Sequence, residues 1–308
     1  MKRLSAALAL AAALAFAAPA GAAAAPATLR PLAGGQPPLL ADGQSLRFEG
    51  TAPAAAAGQR VTVLLLEGLR ARGSRTVTVG PRGHFTASFV VHGEGSVRGI
   101  AVHRATARFP AFAARSRGVR VVDPNIAPGS TRPSVRVLQW ELASLGFAVP
   151  VNGVYEQLTA LALVAYRKAL GLARTEAAGP AVVAAMERER GRFPVRYPGD
   201  GRHIEANLAL QLLAEIEHGR VVRVYTMSSG KPSTPTVLGR FFVYRREPGT
   251  NGEGMVDSNY FYTGYAIHGY HEVPTWAASH GCLRIPIPDA PAVFAWVHMG
   301  TRVDVYYP

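Results

Sequence analysis

The sequence predicts a multidomain protein in which a β-sandwich and a small three-helix bundle precede a mostly-β C-terminal domain. Three observations lead there. Apolar residues alternate in short runs over 40–123, recur at near-helical spacing over 125–190, and return to strand-like runs over 195–308. The 308-residue chain holds one cysteine, so no internal disulfide can support it and packed cores must, for which its length is sufficient.

Residues 1–25 read as a secretory signal peptide. Lys2 and Arg3 precede an apolar run from Leu4 to Ala18, then Pro19 and the Ala20-Gly21-Ala22 cleavage pattern. The run is shorter than the roughly 20 residues a membrane span needs. No cysteine lies nearby to carry a lipid. The expected product is an exported, extracytoplasmic protein with no transmembrane anchor after cleavage.

Formal charge is +13, nearly all from arginine, since Lys2, Lys168 and Lys231 are the only lysines. Nucleic-acid binders gather such charge into basic runs with interleaved aromatics. Here arginines are scattered through every region, as an Arg- and Ala-rich coding bias would leave them. The functional counterpart is attraction to an anionic cell envelope, weakened by salt, and no nucleic acid is expected.

The first regime offers strands at Leu46–Phe48, Val61–Leu65, Val77–Val79, Phe85–Phe89, Ile100–Val102 and Val119–Val121, with Gly80-Pro81-Arg82-Gly83 as a hairpin turn. Repeated short strands between Gly/Pro breaks suggest a small sandwich. It resembles an immunoglobulin-like (Ig-like) module, for spacing or binding.

In the second regime Pro133 suits a first helical turn, Val135, Leu138, Leu142 and Leu145 share a face, and Gly146 ends the helix. A second helix carries Leu161, Val164 and Leu170 and stops near Gly171. A third starts at Gly179-Pro180 and holds Val182, Val183 and Met186. The order from Gly129-Ser130 through Leu145-Gly146-Phe147, Asn152-Gly153-Val154-Tyr155, Thr159 and Tyr166 to Leu170-Gly171-Leu172 resembles a peptidoglycan-binding domain. Tyr155-Glu156 and Tyr166-Arg167 stand where that pattern has Phe-Gly and Phe-Gln.

In the third regime Val221–Tyr225, Phe241–Tyr244, Gly264–Ile267 and Val303–Tyr306 read as strands, and Asp289 as the N-cap of a helix that runs through Phe294 and Val297 and stops at Gly300. One helix in such a region implies a sheet or barrel whose loops form a Cys/His cleft. The lone cysteine stands in Ser279-His280-Gly281-Cys282-Leu283-Arg284, ten residues after His268-Gly269. Thiolate is the attacking form, and a free thiol of pKa about 8.5 is little ionised at neutrality, so a histidine or a positive field must assist. Attack on an amide makes an oxyanion for backbone N–H groups to hold, and the leaving amine needs a proton.

Ile267-His268-Gly269-Tyr270 followed by Ser279-His280-Gly281-Cys282-Leu283-Arg284 resembles the L,D-transpeptidase active-site signature. Met227-Ser228-Ser229-Gly230 and Thr234–Phe241 resemble the same domain's strand-loop-strand segment. The resemblance implies Cys282 as nucleophile and His268 as base. It implies His280 as a residue that shapes the oxyanion-binding backbone at Gly281 and Cys282, and Ser279 as the brace of the loop. Arg284 becomes either a ligand for a substrate carboxylate or a structural ion pair under the loop. Gly269, Tyr270 and Tyr262 become candidates for the donor groove, with Tyr260 and Tyr265 beside them. It implies no cofactor and no metal. A zinc site built from Cys282, His280 and His268 is the rival use of these residues. The partners implied are peptidoglycan tetrapeptide stems, as donor and acceptor of a 3→3 cross-link through a thioester that releases D-alanine. Hydrolysis at the same site, or wall binding without catalysis, are the alternatives.

Overall fold

The computed structural model describes residues 27–35 and 38–308, so the leader expected at 1–25 lies outside the described residues. The chain divides into two compact units. One runs to Pro124 and includes Met186–Arg188; the other comprises Asn125–Ala185 and Glu189–Pro308.

The first unit is built from β1 (Thr28–Leu32), β2 (Leu39–Ala41), β3 (Ser45–Thr51), β4 (Arg60–Glu67), β5 (Arg70–Thr78), β6 (His84–Val90), β7 (Gly95–His103), β8 (Phe112–Arg115) and β9 (Val119–Val122). A three-stranded sheet has the order β1-β3-β6, and a second has β2-β9-β7-β4-β5 with β8 on β7. Alternation puts Leu46 and Phe48 of β3, Val61, Val63 and Leu65 of β4, and Phe85, Ala87 and Phe89 of β6 into one core shared by both sheets. Strand structure begins at Thr28, ahead of the expected start at 40. Pro31 disguised β1, which is an edge strand and so tolerates a proline. Gly80–Gly83 does form a turn, closed by Gly83 N–H to the Gly80 carbonyl at 2.9 Å, but not a hairpin. β5 pairs with β4 while β6 pairs with β3, so the turn arches from one sheet to the other.

The second unit opens with α1 (Pro133–Ser144), α2 (Gln157–Ala169) and all but the last two residues of α3 (Gly179–Glu187). Pro133 stands at the first helical position, and Gly146 takes φ +94° just beyond the end. Gln139, fully buried, donates to Val154 O and Thr159 Oγ1 at 2.8 Å and accepts Gly153 N–H at 2.7 Å, which fixes the Asn152–Val154 loop. Tyr155 and Tyr166 are buried, the latter donating to the Arg190 carbonyl at 3.0 Å.

The rest of this unit is two sheets. Strands β10 (His203–Asn207), β11 (Leu212–Glu217), β12 (Arg220–Thr226), β13 (Gly239–Phe242), β14 (Arg245–Thr250), β15 (Val256–Tyr262), β16 (Tyr265–Tyr270), β17 (Leu283–Pro286) and β18 (Arg302–Tyr306) are joined by helix α4 (Ala290–Trp296). Their orders are β12-β11-β10-β18-β13 and β14-β15-β16-β17. Ile204, Leu213, Tyr225, Ile267, Leu283, Ile285, Val293 and Val303 draw both sheets and α4 into one core. Gly146 O accepts the Val224 N–H at 2.8 Å and Ala148 N–H donates to Val224 O at 3.1 Å, so the chain after α1 docks on β12. Asp289 does precede α4 but makes no side-chain cap hydrogen bond, contrary to expectation. Its carboxyl is buried, and burial pushes its pKa up to about 7.

A fully buried carboxylate anchors the sheet. Glu205 accepts the Arg196 and Tyr197 N–H groups at 2.9 and 2.8 Å, Tyr306 OH at 2.7 Å and His203 Nε2 at 3.2 Å. Burial alone would raise its pKa, but these donors, His203 foremost, hold it below the usual 4.5. A depressed carboxylate contributes stability above its unfolded pKa and loses it as pH falls. Glu205→Ala strands these donors, and denaturant unfolding at neutral pH is expected to show a loss of about 3 kcal/mol or more that narrows in acid.

Candidate active site

β16 and β17 run parallel, with Ile267 opposite Leu283 and His268 opposite Arg284. Parallel neighbours cannot be joined by a tight turn and need a crossover of about a dozen residues. Residues 271–282 are that crossover, and they end at Cys282 beside the strand that carries His268. The spacing between His268 and the cysteine motif is therefore the length of one crossover.

The crossover is tied down before it reaches the thiol. Ser279 and Ala278 N–H groups both donate to Ser229 O at 2.9 Å, while Ser279 O accepts Lys231 N–H at 3.0 Å and Thr234 Oγ1 at 3.1 Å. The Ser279 hydroxyl spans the motif, donating to Cys282 O at 2.6 Å and accepting Gly281 N–H at 3.0 Å. On the far side, Ser228 and Arg284 exchange backbone hydrogen bonds of 2.9 and 3.0 Å. Gly281 holds φ +121°, and a Cβ there would overlap the Tyr265 ring, so both backbone conformation and space demand glycine.

Cys282 is partly exposed, and its thiol points at the Gly264 carbonyl, 3.7 Å away. Burial raises its pKa above the ordinary value, against the Ala266 backbone hydrogen bond and the Arg284 charge. His268 is buried, and burial drives its pKa down to about 4; the Gly269 carbonyl opposes this and the Arg284 charge adds to it. Its Nδ1 lies 2.9 Å from Gly269 O, and its ring meets Tyr270 edge-on at 5.6 Å. An Nδ1–H donor leaves Nε2 with a free lone pair, the tautomer a proton acceptor requires. At rest the two groups are a neutral thiol and a neutral imidazole.

The remaining candidates divide. Gly281 N–H is committed to Ser279 Oγ, so of the two amides expected to face an oxyanion the Cys282 N–H is the one left outside that bond. His280 is exposed, with Nε2 3.2 Å from Lys231 Nζ. Lys231 drew no site role from the sequence, although it directly follows Ser228-Ser229-Gly230. Arg284 has only 11% of its side chain exposed; it sits 4.2 Å over the Tyr270 ring and 3.9 Å from Glu272. That arrangement matches the structural alternative and not an open carboxylate receptor. Gly269, expected in the donor groove, is instead buried, and a Cβ there would crowd Ala290 and Val256. Its lack of a side chain serves packing. Tyr270 is half-buried against His268, His271 and Arg284, whereas Tyr262 is 41% exposed and stacks on Tyr265 at 5.9 Å. Among the described residues, no group of three or more His, Cys, Asp or Glu is placed to hold a metal ion.

Comparison with known proteins bears on the same segments. Residues 201–305 match the L,D-transpeptidase catalytic domain family, and residues 131–186 match a peptidoglycan binding domain. A solved L,D-transpeptidase from Xylanimonas cellulosilytica DSM 15894 is 34% identical, covering 60% of this chain and 98% of that one with a TM-score of 0.56. The L,D-transpeptidase of Stackebrandtia nassauensis is 18% identical over 59% of this chain and 95% of its own, at a TM-score of 0.38. The catalytic domain of the Enterococcus faecium enzyme is 29% identical over 35% of this chain and 98% of its own, at 0.31. Curated proteins give no match.

A cysteine-dependent acyltransferase is the class these matches define, and this chain has one cysteine with which to be one. It belongs to the L,D-transpeptidase family, with a peptidoglycan-binding domain ahead of the catalytic one.

Two outcomes are expected. Gly281→Ala must displace Tyr265 or the loop, and should cost at least about 100-fold in kcat/KM while thermal unfolding shifts little. Because His268 is lowered to about 4, raising pH through that value frees the base. The acid limb of kcat/KM should therefore lie near 4 and not near the ordinary histidine value of about 6.5.

Proposed function

We propose that the protein is an exported peptidoglycan L,D-transpeptidase that forms 3→3 cross-links through a Cys282 thioester. The observation that carries this reading is the placing of His268 in β16 beside the parallel strand β17 that directly follows Cys282, where burial favours the neutral form of both groups. The Cys282 proton passes to His268 Nε2 as sulfur attacks the carbonyl of the third residue of a tetrapeptide stem. The Cys282 N–H holds the oxyanion. Collapse breaks the amide bond, His268 returns the proton to the departing D-alanine amine, and a thioester remains. The side-chain amine of a second stem then attacks the thioester, giving a proton to His268, and the thiol leaves protonated. The amide count is unchanged and no cofactor enters.

In this reading Ser279 braces the crossover and His280 shapes its exposed flank beside Lys231. Arg284 holds the floor under Tyr270, and Tyr262 offers an exposed aromatic face to the donor stem. The helical domain holds the enzyme on peptidoglycan, the excess of arginine draws it to an anionic envelope, and the N-terminal sandwich is an Ig-like spacer. Among the described residues no helix is long and apolar enough to cross a membrane.

Product mass spectrometry with purified disaccharide-tetrapeptide tests this. A dimer lighter than two substrates by one alanine is expected from the wild type, and neither dimer nor acyl-enzyme from Cys282→Ala. Tripeptide alone would make the enzyme a hydrolase, and turnover by Cys282→Ala would overturn the mechanism.

A further inference from the structure

Lys168 is one of three lysines in the chain, and the mechanism above makes no use of it. It projects from α2 with 2% exposure. Its Nζ donates to Gln211 O at 3.0 Å, Thr226 Oγ1 at 2.6 Å and Met227 O at 3.0 Å, which occupies all three N–H bonds. Burying an ammonium is costly, and an apolar side chain would fill the space without that cost. Burial, and after it the Arg174 charge, bring its pKa down to about 7.

Each acceptor leads to the cysteine crossover. Met227 N–H donates to the same Gln211 carbonyl at 3.0 Å. The Gln211 side chain donates to Ser229 Oγ at 2.7 Å and accepts Ser229 N–H at 2.8 Å. Ser229 O in turn receives the N–H groups of Ala278 and Ser279, four and three residues before Cys282. Ser228 exchanges backbone bonds with Arg284, two residues after Cys282, and its hydroxyl donates to Trp276 O at 2.6 Å. Both flanks of the thiol are thus tied to Ser228-Ser229, the residues that directly follow Met227. A second link leaves the same helical region, where Arg174 donates to the Thr275 carbonyl on the crossover.

We propose that Lys168 is a positioning residue for Cys282: its ammonium pins the Gln211 and Thr226-Met227 backbone on which the crossover hangs. The helical domain then forms part of the catalytic scaffold as well as a wall-binding module. The proposal rests on reading Cys282 as the nucleophile.

The test uses the full chain and two variants, Lys168→Met, which removes all three donors, and Thr226→Val, which removes one acceptor at constant shape. The rate of Cys282 alkylation by iodoacetamide is measured with kcat and KM, at a temperature where near-UV circular dichroism shows native packing. Lys168→Met is expected to lower alkylation and kcat about tenfold with KM within about twofold, and Thr226→Val to lower both about threefold, as small displacements of a reacting group do. Wild-type alkylation and kcat in both folded variants, whatever their unfolding temperatures, would overturn the proposal. Should Lys168→Met not fold, Thr226→Val decides: a slowed thiol upholds the proposal and an unchanged one sinks it. Alkylation reads the thiol directly, so an enzyme that proved to hydrolyse stems, or to leave them untouched, would refute the transpeptidase reading without deciding this one.

Discussion

Parallel pairing between β16 and β17 sets how far apart His268 and Cys282 stand in sequence and how near they stand in space. β17 is the last strand of its sheet, and its outer side would expose unpaired backbone groups. Ser228 closes that side by bonding Arg284 from the end of the other sheet's β12 segment. The strand that follows the thiol is therefore held by one sheet on each flank. The site is rigid for the same reason the two sheets cohere, and loosening either would move the sulfur.

Burial then decides the resting chemistry. Both His268 and Cys282 lose more from desolvation than they recover from their surroundings, so each remains neutral. A permanent thiolate–imidazolium pair would react with any electrophile it met. A neutral pair becomes nucleophilic when a substrate carbonyl draws the proton transfer along. Arg284 acts on both groups by field alone, since its guanidinium is engaged with Tyr270 and Glu272.

The grouping of the candidate site residues was more legible in the sequence than the fold. Short polar motifs with fixed spacing singled out Cys282, His268, Ser279 and Gly281, which lie together on β16 and the end of the crossover, and helix punctuation at Pro133, Gly146 and Gly171 was equally plain. β10 and β11 escaped because His203, Glu205, Asn207 and Glu215 break their apolar runs; each is buried, His203, Glu205 and Glu215 in polar contacts with one another's strands or neighbours, a pairing that only tertiary structure reveals. β1 escaped through Pro31, and the Gly80–Gly83 arch passed for a hairpin because local turn residues do not say which strands will pair. Gly269 and Arg284 show the same limit: their types fit a binding role, and only the packing against α4, Tyr270 and Glu272 shows Gly269 buried and, of the two roles open to Arg284, favours the structural one. Lys168 gave no signal at all, since a lysine on a helix ordinarily faces water.

The arch between β5 and β6 has a consequence for how the N-terminal sandwich acquires its structure. Adjacent strands that pair as a hairpin form early, because little chain entropy is lost in closing them. Here β6 must find β3, matching Ser45 with Val90, before its sheet exists, and β2 and β9 must meet from opposite ends of the unit. High contact order of this kind slows folding and prolongs the exposure of strands rich in Val, Leu and Phe. β5, the edge strand of its sheet, instead carries Arg70, Arg72 and Arg75, a charge with which that edge repels its own kind until the sheets close.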